Sequence, residues 1–223
     1  VFKHVGLPLG YDDLKADMIE GRGRVYSTPE GKHYPSITTI LSMLSKDAIA
    51  QWKKNVGKVE SDRVSRHAST RGTAVHQITE DYLNNKDDYA AGFMPNVMGG
   101  FLSLKPVLDA DIGDIYAQEV ALYSDRLQIA GRVDCVANFR SVLSIIDFKT
   151  SAKPKKREWI ESYFMQCAFY GAALYEQTGM LPKQSVILIA VDYHPPQIFI
   201  EPIHSWIPKL LDTRNEYKRT TGY

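Results

Sequence analysis

The sequence predicts an α/β fold in which a mixed central sheet, an antiparallel meander plus one parallel crossover strand, is flanked by helices. Three observations predict it. Stretches 115–123, 128–139 and 142–149 alternate or run apolar with β-branched residues, and the short breaks SDR and RS between them suit a meander. EWIESYFMQCAFYGAALYEQTG carries apolar and aromatic residues at three-and-four spacing, which is helical. SVILIAVDY then returns as a strand, and the order strand, helix, strand implies a right-handed crossover that sets it parallel to the IIDFK strand.

The remaining elements follow in order. RVYSTPEGKHY (24–34) reads as a hairpin with Thr28-Pro29-Glu30-Gly31 as its turn. From Thr38 a helix is predicted, with Ile40, Leu41, Leu44, Ile49 and Trp52 recurring at helical spacing and Gly57 placed to stop it. A longer helix over 59–84 should turn Val64, Ala68, Val75, Ile78, Tyr82 and Leu83 inward. Residues 85–97 are polar and turn-rich, and 98–109 form a weaker helix that Pro106 should kink or shorten. Gly179 lies beyond the end of the strong helix, QIFIEPI can add an edge strand, and 206–217 form a last helix. No linker divides the chain, so one domain is expected over 1–223: hairpin and helix 1–57, core 58–204, C-terminal helix 205–223.

Composition excludes more than it assigns. With 27 Lys+Arg against 26 Asp+Glu there is no overall attraction to phosphate, so any nucleic-acid footprint must be a local patch. The longest apolar run, near 185–191, is far short of the roughly 20 residues that cross a bilayer, so no membrane partner is expected. Cys135 and Cys167 sit in apolar surroundings and read as buried reduced thiols of a reducing, intracellular compartment; two thiols cannot supply a four-thiolate zinc site or an iron–sulfur cluster. The start, VFKHVGLPLG, has neither a secretory nor an Arg-rich amphipathic pattern and no initiating Met, so a removed leader is one expectation.

Three constellations carry chemistry. In IIDFKTS, strand alternation puts Asp147 and Lys149 on one face, and a tight hairpin brings Asp134 of GRVD beside them. Two close carboxylates repel unless a cation neutralises them, and a hard divalent ion with phosphate oxygens fits that need. A plain ion pair at a strand end is the alternative; Asp134 behind Gly131 weighs against it. In the long helix, Gly72, His76 and Glu80 share a stripe, where an interior Gly costs about 1 kcal/mol relative to Ala and so calls for a reason. A hydrogen-bonded interior histidine is the competing reading of His76. Gln166 and Tyr170 lie one turn apart, fit to hold a strand or simply to fill a core. Lys153, Lys155, Lys156 and Arg157 form the densest basic cluster, directly after the Asp147–Lys149 strand.

In this order, G-x-x-x-H, G-x-x-D…D-x-K, Q-x-x-x-Y, the set resembles the RecB-like exonuclease branch of the PD-(D/E)XK nuclease superfamily, with further likeness at YPSITTIL and IDFKTSAKPK. The likeness covers 34–192. It implies a restriction-endonuclease-like core, a single nuclease domain, and a Mg²⁺- or Mn²⁺-dependent deoxyribonuclease acting as an exonuclease on single-stranded DNA, ends or flaps. It implies Asp134, Asp147 and Lys149 as catalytic residues, and His76, Asp134, Asp147 and the Phe148 carbonyl as metal ligands. Gln166, Tyr170, Arg71, Lys153, Lys155 and Lys156 would contact DNA, and Glu119 and Glu80 are further candidate acids. Replication or recombination proteins are the implied partners, in a mitochondrion or a bacterial or phage-host cytoplasm. The two Cys do not furnish the iron–sulfur cluster of some relatives, and no Walker A loop supplies unwinding. A non-catalytic DNA-binding protein and a duplex-cutting endonuclease on the same fold remain the rivals.

Overall fold

The computed structural model describes all of residues 1–223. Three antiparallel strands come first: β1 (Lys15–Ile19), β2 (Gly23–Ser27) and β3 (His33–Pro35). β2 and β3 are the expected hairpin, closed where the Gly31 amide donates to the Thr28 carbonyl at 2.9 Å. β1 had no sequence signal, because every residue of KADMI is exposed and no apolar alternation marks it.

The single helix expected after Thr38 is two. α1 (Ile37–Ser42) is capped by Ser36, whose hydroxyl accepts from the Thr39 amide, and a short 3₁₀ turn at Met43–Ser45 leads into α2 (Lys46–Val56). Ile40 and Leu41 are buried as the pattern requires, but Leu44 and Ile49 are exposed and no residue of α2 is buried. α3 (Lys58–Leu83) buries Val75, Ile78 and Leu83, while Val64 and Ala68 are exposed, against expectation. Only Ser61 is buried in the first half of α3, so that half and α2 project from the body. α4 (Pro95–Asp111) is longer than expected at both ends and runs through Pro106 without stopping, since Leu104 and Leu108 on either side of it are fully buried.

β4 (Ile112–Ser124), β5 (Ile129–Phe139) and β6 (Val142–Ser151) form the meander. Arg140 and Ser141 connect β5 to β6 with φ +50° and +66°, the left-handed pair a two-residue hairpin requires. α5 (Glu161–Thr178) ends at Gly179 with φ +73°, as read from the sequence. β7 (Gln184–Val191) then pairs parallel with β6, β8 (Gln197–Pro202) closes the edge, and α6 (Ile207–Thr221) ends the chain. The sheet order is β4-β5-β6-β7-β8. No helix is long and apolar enough to cross a membrane.

The sheet carries a core on each face. Ile145 and Ile187 pack with Phe164 and Leu174 of α5, while Ile146, Phe148 and Leu188 pack with Phe101 and Leu104 of α4. β6 and β7 alternate strictly between the two. β4 and β5 do not: Val133 and Val136 reach the α5 side while Cys135 reaches the other, and Ala117 and Leu122 share the α5 side despite their odd spacing. Both strands change face about Glu119 and Asp134 while their pairing register holds there; the register shifts between them fall earlier, between Ile112 and Ala117.

Candidate active site

Glu119 and Asp134 face one another across β4 and β5, between the paired residues Gln118↔Cys135 and Val120↔Val133. Glu119 has φ +49°, a conformation that costs a non-glycine residue about 1–3 kcal/mol and persists only where its surroundings impose it. Asp134 lies just past the last β5–β6 pair, Cys135↔Ile146, and its Oδ2 accepts the Phe148 amide at 2.8 Å. A catalytic-type carboxylate is thus aimed by the backbone of the adjoining strand.

His76 of α3 reaches the same point, with Nδ1 3.6 Å from Asp134 Oδ2 and its ring edge-on to Phe148. Donor atoms of His76, Glu119 and Asp134 all lie within 4.8 Å of one another, close enough to share one cation. Burial, then the charges of Asp134 and Glu80, push the Glu119 carboxyl up to about 7, against the opposing pull of Arg132 and Lys149. Glu119, only a further candidate acid in the sequence, is therefore central to the cluster in space.

Asp147 and Lys149 occupy the α5 side of β6, as alternation requires. Lys149 Nζ donates to Asp147 Oδ1 at 2.6 Å, and Asp147 Oδ2, equally near but out of line, has no hydrogen-bond partner. Burial raises the Asp147 carboxyl; burial would lower the Lys149 ammonium, but the Asp147 and Asp134 carboxylates outweigh it and raise it. Asp147 stands outside the three-residue group because its carboxylate is turned to this ammonium.

A cavity of about 500 Å³ holds the cluster. Its walls include Gly72, His76 and Glu80 of α3, Lys149 of β6, and Gln166 and Tyr170 of α5. The Gly72–His76–Glu80 stripe does share one face. The close approach expected of Gly72 is not what its packing demands: a Cβ there would sit 3.5 Å from Thr150 Oγ1, an ordinary contact. Tyr170 is only 2% exposed and its hydroxyl donates to the Arg132 carbonyl at 2.6 Å, so its ring has no open face for a base. Its visible work is to hold β5 two residues before Asp134.

Other residues fall elsewhere. Arg71 is directed to the opposite side of α3, bonded to Asp192. Lys153, Lys155 and Lys156 follow β6 in a loop that does not line the cavity; Lys156 lies over the Trp159 ring. Sequence reasoning missed Arg24 and Tyr26, which β2 brings to the cavity wall, and Arg132, which bonds Asp13 and the Glu119 carbonyl. Arg132 lies within the GRVD segment itself, whereas nothing local links the hairpin to the site.

Residues 102–200, which hold most of the mixed sheet, match the family model described as the PD-(D/E)XK nuclease superfamily. Among individual proteins, the chain is similar to mitochondrial genome maintenance exonuclease 1. It is 31% identical to the Xenopus tropicalis protein over 148 residues (62% of this chain, 42% of the relative). To the Mus musculus protein it is 28% identical over 148 residues (62% and 44%), and to the Homo sapiens protein 26% over 170 residues (71% and 49%). The chain spans less than half the length of these relatives. Two solved structures also overlap it. One is an exonuclease-titled protein from Eubacterium rectale (14% identity, TM-score 0.36, 66% of this chain and 68% of that one). The other is SSO0001 (15%, 0.32, 63% and 70%).

Proposed function

We propose that the domain is a Mg²⁺- or Mn²⁺-dependent deoxyribonuclease, an exonuclease that hydrolyses phosphodiester bonds in single-stranded DNA or in single-stranded ends and flaps, in replication, recombination or repair. The observation that carries it is the convergence of His76, Glu119 and Asp134 within 4.8 Å, beside Lys149 in one polar cleft. The donor set fits a divalent ion: two carboxylates and an imidazole that repel or stand idle without one, beside a buried Asp147 Oδ2 that has the Lys149 ammonium near it but no hydrogen bond. When bound, such an ion supplies positive charge to the scissile phosphate and acidifies an attacking water.

The protein's own groups do the rest. Asp134, fixed by the Phe148 amide, and Glu119, fixed by its backbone, present oxygens that need no rearrangement. Lys149, held on Asp147 and kept protonated by it, is suited to stabilise charge growing on the phosphate oxygens rather than to act as a base. Arg24 on the exposed wall makes no ion pair within the chain and is free to meet the DNA backbone. The projecting α2 and first half of α3 lead into the cleft wall, which favours an unpaired strand over a wide duplex. The relatives are mitochondrial by name, and a mitochondrial or bacterial-cytoplasmic setting is proposed on that ground.

End-labelled single strands incubated with Mg²⁺, with Mn²⁺ and with chelator test the reading. Cleavage should require the metal, and Asp134→Ala should lower it by about 10²–10³-fold or more with folding retained. Parent-level cleavage by Asp134→Ala would refute the assignment. Strands blocked at one end or the other give the polarity.

A further inference from the structure

The segment before β1 is fastened against the sheet beside Glu119. The Tyr11 hydroxyl donates to the Ala121 carbonyl at 3.0 Å, two residues past Glu119 on β4. Leu14 is buried with Tyr26, Ala121 and Ala130. Between these two anchors stands Asp13, whose carboxylate accepts the Leu14 amide at 2.8 Å and takes Arg132 Nη2 on both oxygens, at 2.7 and 2.8 Å.

Arg132 is thereby attached at three points. Nη2 is on Asp13, Nη1 donates to the Glu119 carbonyl, and its own carbonyl accepts the Tyr170 hydroxyl. Its ladder partner is Ala121, so the guanidinium spans the two residues from there to Glu119. Glu119 needs such a hold, since its φ of +49° is a strained conformation that persists only where the surroundings impose it. A carbonyl fixed by a side chain fixes the peptide plane after Glu119, and with it the direction in which the carboxylate leaves the strand. Arg132 also lines the cleft, but both terminal nitrogens are engaged and Asp13 matches its charge. It is disposed to hold the strand rather than to meet a phosphate.

We propose that Asp13 and Arg132 are a positioning pair for the candidate cation site. Asp13 orients the guanidinium, and the guanidinium holds Glu119 in the backbone conformation that brings its carboxylate within reach of His76 and Asp134. This rests on the nuclease reading of that site and extends the site to residue 13, outside the 102–200 stretch that matches the family model.

The measurement is Mn²⁺ binding without DNA, with free Mn²⁺ read from its electron paramagnetic resonance signal. Asp13→Ala and Arg132→Ala should each weaken binding by about tenfold or more. Glu119→Gln should weaken it too, and adding either change to that variant should bring a further loss of no more than about twofold, because the pair acts through Glu119. Parent-like affinity in both single variants overturns the proposal. So do equal losses in the two backgrounds, which would mean that the pair supports the fold at large. Weaker binding of a single strand in chelator by Arg132→Ala, with Mn²⁺ affinity unchanged, would make Arg132 a DNA contact and also overturns it. The Asp13 side chain is 58% exposed and its ion pair contributes little to stability, so Asp13→Ala carries the test if Arg132→Ala does not fold, with an unchanged unfolding midpoint as the check. A parent that binds no Mn²⁺ would overturn the cation-site reading and the proposal with it, whereas a parent that binds and variants that match it overturn the proposal alone.

Discussion

Lys149 is 22% exposed in its side chain and Asp147 2%, so each is the other's main compensation for leaving water. Lys149→Ala should cost about 3–5 kcal/mol in denaturant unfolding, because it strands a buried carboxylate. Joined with Asp147→Asn, Lys149→Met should recover most of that loss while cleavage stays absent, which separates the pair's structural and chemical parts. Glu119 makes a prediction of opposite sense. Its carboxyl rises from 4.5 to about 7 on folding, so the folded state binds its proton more tightly than the unfolded one. That contribution is fully present below about pH 4.5 and is lost as pH climbs through about 7. The metal-free protein should therefore melt at a lower temperature at about pH 8 than at about pH 5, and Glu119→Gln should reduce the difference, the remainder belonging to Asp147, whose carboxyl burial also raises. A pH-independent melting point in the parent would contradict the burial of Glu119 beside Asp134. At this scale the sequence displayed Asp147, Lys149 and Asp134 plainly, since two-residue spacing and a short hairpin determine their placing. The pairing of Asp147 with its lysine is already the alternative reading of that spacing, but that Glu119 joins His76 could not be read, because it depends on a backbone distortion at Glu119 that no local residue pattern marks.

Among the elements, β5, α1 and α5 meet at Gly131. A Cβ there would come within 3.0 Å of Ile37 Cγ2 and of the Tyr170 hydroxyl, so the glycine answers to close packing rather than to backbone freedom. Gly131→Ala should destabilise by about 1–3 kcal/mol and, by pushing Tyr170 off the Arg132 carbonyl, reduce cleavage beyond what stability explains. Equal stability with full activity would show that α5 yields easily. Strand and helix periodicity made the meander, α5 and the parallel β7 legible, as these bury residues on defined faces. α2 and the outer half of α3 read as inward-facing because Leu44, Ile49 and Val64 recur at helical spacing, yet periodicity reports amphipathicity without saying what, if anything, covers the apolar side.

Across the whole molecule, the projecting α2–α3 pair has few buried contacts to hold it, whereas the sheet is covered on both faces. Limited trypsin digestion should cut first near Lys53, Lys54 and Lys58, and a single strand bound beneath that pair should slow the cut. First cleavage within the loop at Lys153–Lys156 would argue that the pair is better anchored than its exposure implies. The two cysteines carry a different lesson. Cys135 belongs to the core under α4 and Cys167 to the core under α5, each fully enclosed with its thiol pushed up by burial. A sheet stands between the sulfurs, so they cannot join while the domain is folded, and oxidants in the surroundings reach neither. Their reduced state is guaranteed by architecture instead of by the redox poise of an organelle or cytosol, and the chain would keep both thiols in either.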